Sequence, residues 1–205
     1  MTREDFAAQT GVSRETLERY DIWRRLIVEW SAHTNLVGRA TLDDFWHRHA
    51  LDSWQVTRWV TPGARWADLG SGAGFPGLAI AFAMQEAGSG EVVLVESIGK
   101  KAAFLAKVVR ETAAPATVAP IRAESLDPAG GFDIVTARAM AALPKLLGYA
   151  HPLLKKGAKG LFLKGAKHQD EIRAARVDWR FDADCHDSLT GGGGVIIEVK
   201  ELARG

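Results

Sequence analysis

The stretch Arg65-Trp-Ala-Asp-Leu-Gly-Ser-Gly-Ala-Gly-Phe-Pro-Gly77 limits what this chain can fold into more than any other. It passes from a short apolar strand through a glycine-dense turn into the apolar run Leu78-Ala-Ile-Ala-Phe-Ala-Met84. A strand that reverses into a helix needs backbone conformations that a Cβ obstructs, and glycine also lets a ligand approach the main chain. The helix then opens with free amides toward that ligand, and Pro76 suits its first turn. A nucleotide-containing cofactor is the expected occupant.

Two cofactor classes fit such a turn. Gly72-x-Gly74-x-x-Gly77 matches the dinucleotide fingerprint, with Glu96 placed as a ribose-binding acid at the end of the next strand, which would make the chain an NAD(P)-binding oxidoreductase. Asp68 stands two residues before the first glycine, giving the Asp-x-Gly-x-Gly pattern of S-adenosylmethionine methyltransferases. A carboxylate there suits a cofactor with an ammonium and a sulfonium, and is less welcome beside a pyrophosphate. The methyl donor is the preferred reading. The dinucleotide alternative also lacks room for a substrate domain and shows no acid or base for a hydride site.

With 205 residues, 47% apolar and 25% charged, the chain can bury one good core. No window approaches the roughly 18 apolar residues of a membrane span, and Met1-Thr-Arg-Glu-Asp-Phe6 lacks the features of a signal peptide, so a cytoplasmic monomer is expected. Cys185 is the only cysteine, which excludes an internal disulfide and a cysteine-rich metal site, and it reads as a half-buried strand residue. The net charge of +1 does not announce a nucleic-acid binder, but its distribution is uneven. From Ile134 to Gln169 there is no carboxylate, while Arg138, Lys145, Lys155, Lys156, Lys159, Lys164 and Lys167 all fall there. They make a field fit for a polyanion if they share a face, and are solvated surface lysines if they do not.

Residues 1–60 read as a helical extension and 61–205 as the cofactor-binding domain, together one compact unit. Thr2-x-x-Asp5 and Thr41-x-x-Asp44 resemble capping boxes. Leu17, Tyr20, Trp23, Ile27 and Trp30 recur at helical steps, predicting a helix from about Ser13 to Ser31 whose apolar face packs on the cofactor domain. The cluster His47, Arg48, His49 and Asp52 reads as a polar hinge with Arg48 or His49 at the site's mouth; no further ligands at helical spacing support a metal. Strands are expected at Arg65–Leu69, Glu91–Glu96, Ala116–Arg122 (shortened by Pro120), Phe132–Arg138 and Ala158–Lys164, with helices between them, which is the pattern of a parallel sheet covered on both faces. Val177–Leu189 and Val195–Leu202 read as an antiparallel hairpin whose tip, Thr190-Gly-Gly-Gly-Gly194, is a flexible turn.

Asn35-Leu-Val, Arg48-His49-x-Leu-Asp-Ser53, Asp68-x-Gly-Ser-Gly-Ala-Gly-Phe-Pro-Gly77, Glu96-Ser-x-Gly-Lys-Lys101, Arg122-Ala-Glu124, Ala137-Arg-Ala139 and Leu163-Lys-Gly165 together resemble the RsmG family, also called GidB, from about residue 20 onward. Phe75 stands where that family often has leucine, and Glu96 where aspartate is common. The resemblance implies a Rossmann-like class I S-adenosylmethionine methyltransferase fold, with a mostly parallel seven-stranded sheet ending in an antiparallel hairpin. It also implies methylation of N7 of a guanine in 16S rRNA, as naked RNA or in the small ribosomal subunit. By the same resemblance, Gly70 and Phe75 contact the cofactor, Ala123 and Glu124 lie against the adenine, and Arg138 ends the fourth strand in the cofactor pocket.

The residues agree with that chemistry. Base-amino methylation usually calls for an Asn/Asp-Pro-Pro-aromatic loop after strand four, where this chain reads Ala137-Arg-Ala-Met-Ala-Ala-Leu-Pro144. Methylation of pyrimidine carbon needs a nucleophilic cysteine, and Cys185 is far along the chain. Guanine N7 needs neither, since its lone pair is free and no proton must leave, so alignment does most of the work and no general base is named. The cofactor set is Asp68, Gly70, Gly72, Phe75, Glu96, Ala123, Glu124 and Arg138; the RNA set is Arg48, His49, Lys100, Lys101 and Lys164, with Arg138 able to serve either. A non-catalytic RNA-binding module is the remaining alternative.

Overall fold

The structure, a computed structural model, describes residues 1–38 and 42–205. The expected capping box at Thr41 begins outside the described residues. The first one forms: the Thr2 hydroxyl accepts from the Asp5 amide while the Asp5 carboxylate accepts from the Thr2 amide, opening α1 (Arg3–Thr10). Helix α2 (Arg14–Ser31) starts with the Ser13 hydroxyl accepting from the Thr16 amide.

The centre is a seven-stranded sheet in the order β3-β2-β1-β4-β5-β7-β6. β1 (Arg65–Leu69), β2 (Glu91–Val95), β3 (Ala116–Ala119), β4 (Ile134–Arg138) and β5 (Lys159–Lys164) run parallel. β7 (Val195–Arg204) lies antiparallel to β5, and β6 (Trp179–Asp187) closes the edge. Cys185 is exposed on that edge strand instead of half-buried, because β6 has a neighbour on one side only.

Strand side chains alternate between two cores, as a sheet covered on both faces requires. Trp66, Val92, Leu94, Ile134, Leu161 and Ile196 enter one core; Ala67, Val93, Val135, Phe162 and Ile197 enter the other. Helices α3 (Gly77–Ala87) and α4 (Gly99–Thr112) cover the first, and α5 (Leu143–Leu154) and α6 (His168–Ala175) the second.

The N-terminal helices belong to the first core. Phe6, Tyr20, Trp23, Leu26 and Ile27 are fully buried in one cluster with Trp66, Phe82 and Phe104. The Trp23 ring lies 4.6 Å from Phe75 and 5.9 Å from Phe82, and its indole N–H donates to the Ala73 carbonyl at 2.8 Å. Glu86 of α3 ties down the start of α2 through the Ser13 amide and the Thr16 hydroxyl. The expected packing of the apolar face on the cofactor domain is thus observed, and residue 60 marks a change of chain pattern without a break in packing. The polar hinge expected at Phe45–Ser53 is instead a π-helical segment, Phe45–Leu51, in which Phe45, Trp46, His49, Ala50 and Leu51 are buried.

Candidate active site

β1 pairs with β2 on one side and β4 on the other, so the chain's windings diverge at its C-terminal end and leave a crevice there. The glycine-dense turn lines this crevice. Gly70 adopts φ +68°, and an added Cβ would meet Met140 Cγ at 2.7 Å. Gly72 adopts φ +56°, and the nearest atom to an added Cβ would be the Gly70 carbonyl oxygen at 3.8 Å, leaving main chain accessible to a ligand. A Cβ on Gly77 would lie 2.6 Å from the Asp68 carboxylate, which explains why the turn can close so tightly over β1.

The resulting cavity holds about 550 Å³. Gly70, Gly72, Phe75, Glu96, Ala123, Glu124 and Arg138, all expected at the cofactor, line it together. Glu96 is 6% exposed; one carboxylate oxygen accepts from the Gly72 amide at 2.9 Å and the other from the Ile98 amide at 2.8 Å. This acid is fixed by main chain and retains acceptor capacity for a pair of hydroxyls. Ala123 and Glu124 form a short 3-10 turn, Ala123–Ser125, after β3.

Asp68, expected to face the cofactor, does not line the cavity. It is fully buried beneath the turn, where Oδ2 accepts from the Gly77 amide at 3.3 Å and Oδ1 has no hydrogen-bond partner among the described residues. Burial pushes its carboxyl up to about 7, partly opposed by the Ser71 side chain, the Gly77 amide and the Arg138 charge. Strand alternation is the reason, since a residue one step before the strand end points into the sheet's layer and not out of its edge.

A second cavity of about 950 Å³ adjoins the first, and the two share His49, Arg138, Ala139, Met140 and Ala141 as a common wall. Arg138 is the centre of this wall. Its guanidinium lies 4.6 Å from the Phe75 ring centroid and donates to Asp52 Oδ2 at 2.7 Å and to the Arg48 carbonyl at 3.0 Å. It also meets His49 Nδ1 at 2.8 Å; a guanidinium only donates, so Nδ1 accepts and the ring proton sits on Nε2. The His49 ring stacks on Phe75 at 4.6 Å and 17°. The anion expected to satisfy Arg138 was a cofactor carboxylate or an RNA phosphate; within the chain Asp52 fills that role.

Asp52 in turn accepts from Gln55 Nε2 at 2.9 Å, Gln55 also donates to Ser188 Oγ at 3.0 Å, and Gln55 Oε1 accepts from the Leu189 amide at 2.8 Å. This chain of bonds carries Arg138 to the tip of the β6–β7 hairpin. Thr190, Gly191, Gly192 and Gly194 line the second cavity, so the tip read as only a flexible turn walls that cavity.

The RNA set is dispersed. Arg48 and His49 line the second cavity, the first exposed and the second buried. Lys101 lines the first cavity, whereas Lys100 lines a separate groove with Trp30 of α2 and His33 in the turn after it, because neighbours on a helix point about 100° apart. Lys164 is not a free surface charge: its ammonium donates to Glu171 Oε2 at 2.7 Å and to the Ala141 carbonyl at 2.6 Å, and its side chain is 9% exposed. The basic run also divides between two ends of the sheet. Lys159 begins β5 and Lys164 ends it, about 16 Å apart along the strand, and Lys155 and Lys156 follow α5 beside Lys159. Arg138 and Lys145, which lines the cofactor cavity, stay at the end that carries the cavities. Among the described residues, no group of three His, Cys, Asp or Glu side chains is arranged to hold a metal ion, and no helix is long and apolar enough to cross a membrane.

Lys145 and Tyr149 of α5, and Leu36, Val37 and Gly38 before the undescribed residues, line the cofactor cavity without having been singled out for it. Only the Asn35-Leu-Val motif hinted at the latter group.

A parallel sheet with a glycine-lined crevice at β1, an acid held at the end of β2 and a closing antiparallel hairpin defines a Rossmann-like methyltransferase fold. TYW2 of M. jannaschii, solved in complex with AdoMet, superposes with a TM-score of 0.59 at 10% identity over 85% of this chain and 80% of that one. The family model for GidB, rRNA small subunit methyltransferase G, matches residues 15–195, and the chain belongs to that family. It is 47% identical to ribosomal RNA small subunit methyltransferase G of Paramagnetospirillum magneticum, over 100% of this chain and 98% of that protein. It is 46% identical to the protein of the same name from Rhodopseudomonas palustris, over 95% of this chain and 84% of the other.

Proposed function

We propose that this protein transfers a methyl group from S-adenosylmethionine to N7 of a guanine in small-subunit (16S) ribosomal RNA. The observation that carries the reading, within a chain of this family, is the common wall between the two cavities. One cavity has the fixed acid and open glycine turn suited to an adenosyl cofactor, and the other has room for a base.

The residues present fit that cofactor. Glu96, held by two amides, accepts the ribose hydroxyls, and Ala123 and Glu124 bound the adenine. Gly70 and Gly72 let the methionine part lie against main chain. When bound, S-adenosylmethionine supplies a methyl group made electrophilic by its sulfonium. Asp68 acts beneath the turn, holding the Gly77 amide.

On the acceptor side His49 and Arg138 of the shared wall, backed by Phe75 from the first cavity, orient a base whose N7 lone pair faces that cavity. With S-adenosylmethionine bound, that lone pair would accept the methyl group, sulfur would keep the electrons of the broken carbon–sulfur bond, and the positive charge would pass to the base. No proton leaves, so none of these residues serves as a base. Arg48, Lys101 and Lys145 are placed to neutralise phosphates at the cavity mouths, while Lys100 and the paired Lys164 are withdrawn from that role.

The test combines calorimetric titration with S-adenosylhomocysteine and transfer of labelled methyl to 16S rRNA, naked and in small subunits, with chemical mapping of the modified base. The expected result is one N7-methylated guanine. Binding of S-adenosylhomocysteine without transfer would leave only a fold that binds cofactor and RNA.

A further inference from the structure

A guanine in the second cavity with N7 toward the shared wall turns its N1–H and 2-amino group the other way, toward residues that line the second cavity alone. That pair of donors calls for a carboxylate. Asp44, Asp52 and Glu171 are the carboxylates lining this cavity. Asp52 is committed on both oxygens, Oδ2 to Arg138 and Oδ1 to Gln55. The Asp44 side chain is 40% exposed and, among the described residues, is held by an ion pair to His47 at 3.6 Å.

Glu171 differs from both. Its Oε2 accepts from the Leu143 amide at the start of α5 and from Lys164 at the end of β5, each at 2.7 Å. Its Oε1 takes no hydrogen bond among the described residues. Two elements of the scaffold therefore hold the carboxylate while one oxygen stays open, which is how a preorganised acceptor is built. Lys164 offsets the charge of the carboxylate without occupying that oxygen.

We propose that Glu171 determines the specificity for the methyl acceptor: Oε1 accepts from the N1–H and 2-amino group of the target guanine. This rests on the guanine-N7 reading above. Adenine offers a lone pair at N1 and no 2-amino group, so the same carboxylate repels it. The contact also acts during the reaction. As N7 takes the methyl group, positive charge spreads over the ring and makes N1–H a stronger donor, so the bond tightens toward the transition state while the proton stays on N1.

The test compares 16S rRNA carrying guanosine or inosine, which lacks only the 2-amino group, at the methylated position, presented naked and in reconstituted subunits. Wild type should lose roughly tenfold or more in kcat/KM with inosine. In Glu171→Gln the amide oxygen still satisfies Leu143 and Lys164, which turns its NH2 toward the guanine donors. This variant should lose a comparable factor with guanosine, and its guanosine-to-inosine ratio should fall to about one. A purely structural role for Glu171 leaves the ratio at its wild-type value, and that result overturns the inference alone. Wild type that does not methylate guanosine RNA overturns the N7 reading and this inference with it. Affinity for S-adenosylhomocysteine is measured alongside; if Glu171→Gln has lost it, Glu171→Asp is read by the same ratio.

Discussion

The two cavities share a wall but are built in opposite ways. Most of the first cavity comes from one turn and the ends of β1 to β4, fixed by main-chain amides on Glu96 and by glycines at positive φ. The second cavity is gathered from four separate stretches, residues 44–52, 138–142, 163–171 and 188–195. Side chains tie these together: Arg138 to Asp52, Asp52 to Gln55, Gln55 to the hairpin tip, and Lys164 to Glu171. In the proposed function a rigid nucleotide is met by backbone, whose geometry the fold sets, and a base of the RNA by side-chain ties that can adjust locally.

If that contrast holds, damage should sort by cavity. The largest effect is expected from Trp23→Ala, which empties a fully buried site under Phe75 and removes the bond to Ala73. A loss of about 4 kcal/mol in urea unfolding is expected. S-adenosylhomocysteine affinity should fall with it, and unchanged affinity would detach the turn from its support.

Next is Gly74→Ala. Gly74 adopts φ +97°, and an added Cβ would press on the Leu78 side chain. Strain and clash together should cost about 3 kcal/mol and weaken cofactor binding at least tenfold. A calorimetric titration that matched wild type would show that the turn is not the rigid part.

Asp52→Asn probes the other cavity. Weakening the charged bond to Arg138 should lower kcat/KM for RNA roughly tenfold while S-adenosylhomocysteine affinity stays within about threefold. Equal losses of both would erase the distinction between the cavities.

A pH-dependent effect concerns Asp68. Its folded pKa is raised from 3.8 to about 7, so between those pH values the native state keeps a proton that the unfolded chain has released. Its contribution to stability is therefore full below about pH 4, falls as pH rises toward 7 and is level above. Asp68→Asn does not titrate, so its Tm relative to wild type should rise from pH 5 to pH 8 in thermal melts. A constant difference would mean that the carboxylate titrates normally in the fold.

The sheet and the cofactor cavity were largely legible because their signals are local. Strands showed as short apolar runs, the turn as glycines in one stretch, and the α2 face as Leu17, Tyr20, Trp23, Ile27 and Trp30 at helical steps. Asp68 does not line the cavity although the glycines that follow it do, because a motif gives proximity in sequence while the pleat decides which way a side chain points. Lys164 was misread for a related reason: nothing near it in sequence announces that Glu171, one turn into the next helix, will reach back to it.

From residue order alone came the alternation of strand and helix, the position of the cofactor turn, the likeness to RsmG proteins and the burial of the N-terminal tryptophan face. These depend on periodicity and backbone conformation, which act over a few residues. The second cavity, the pairing of Arg138 with Asp52 and the division of the lysines between two ends of the sheet were decided by tertiary structure. They require groups dozens of residues apart to meet, and only the completed order of strands fixes which charges face each other and which remain for a ligand.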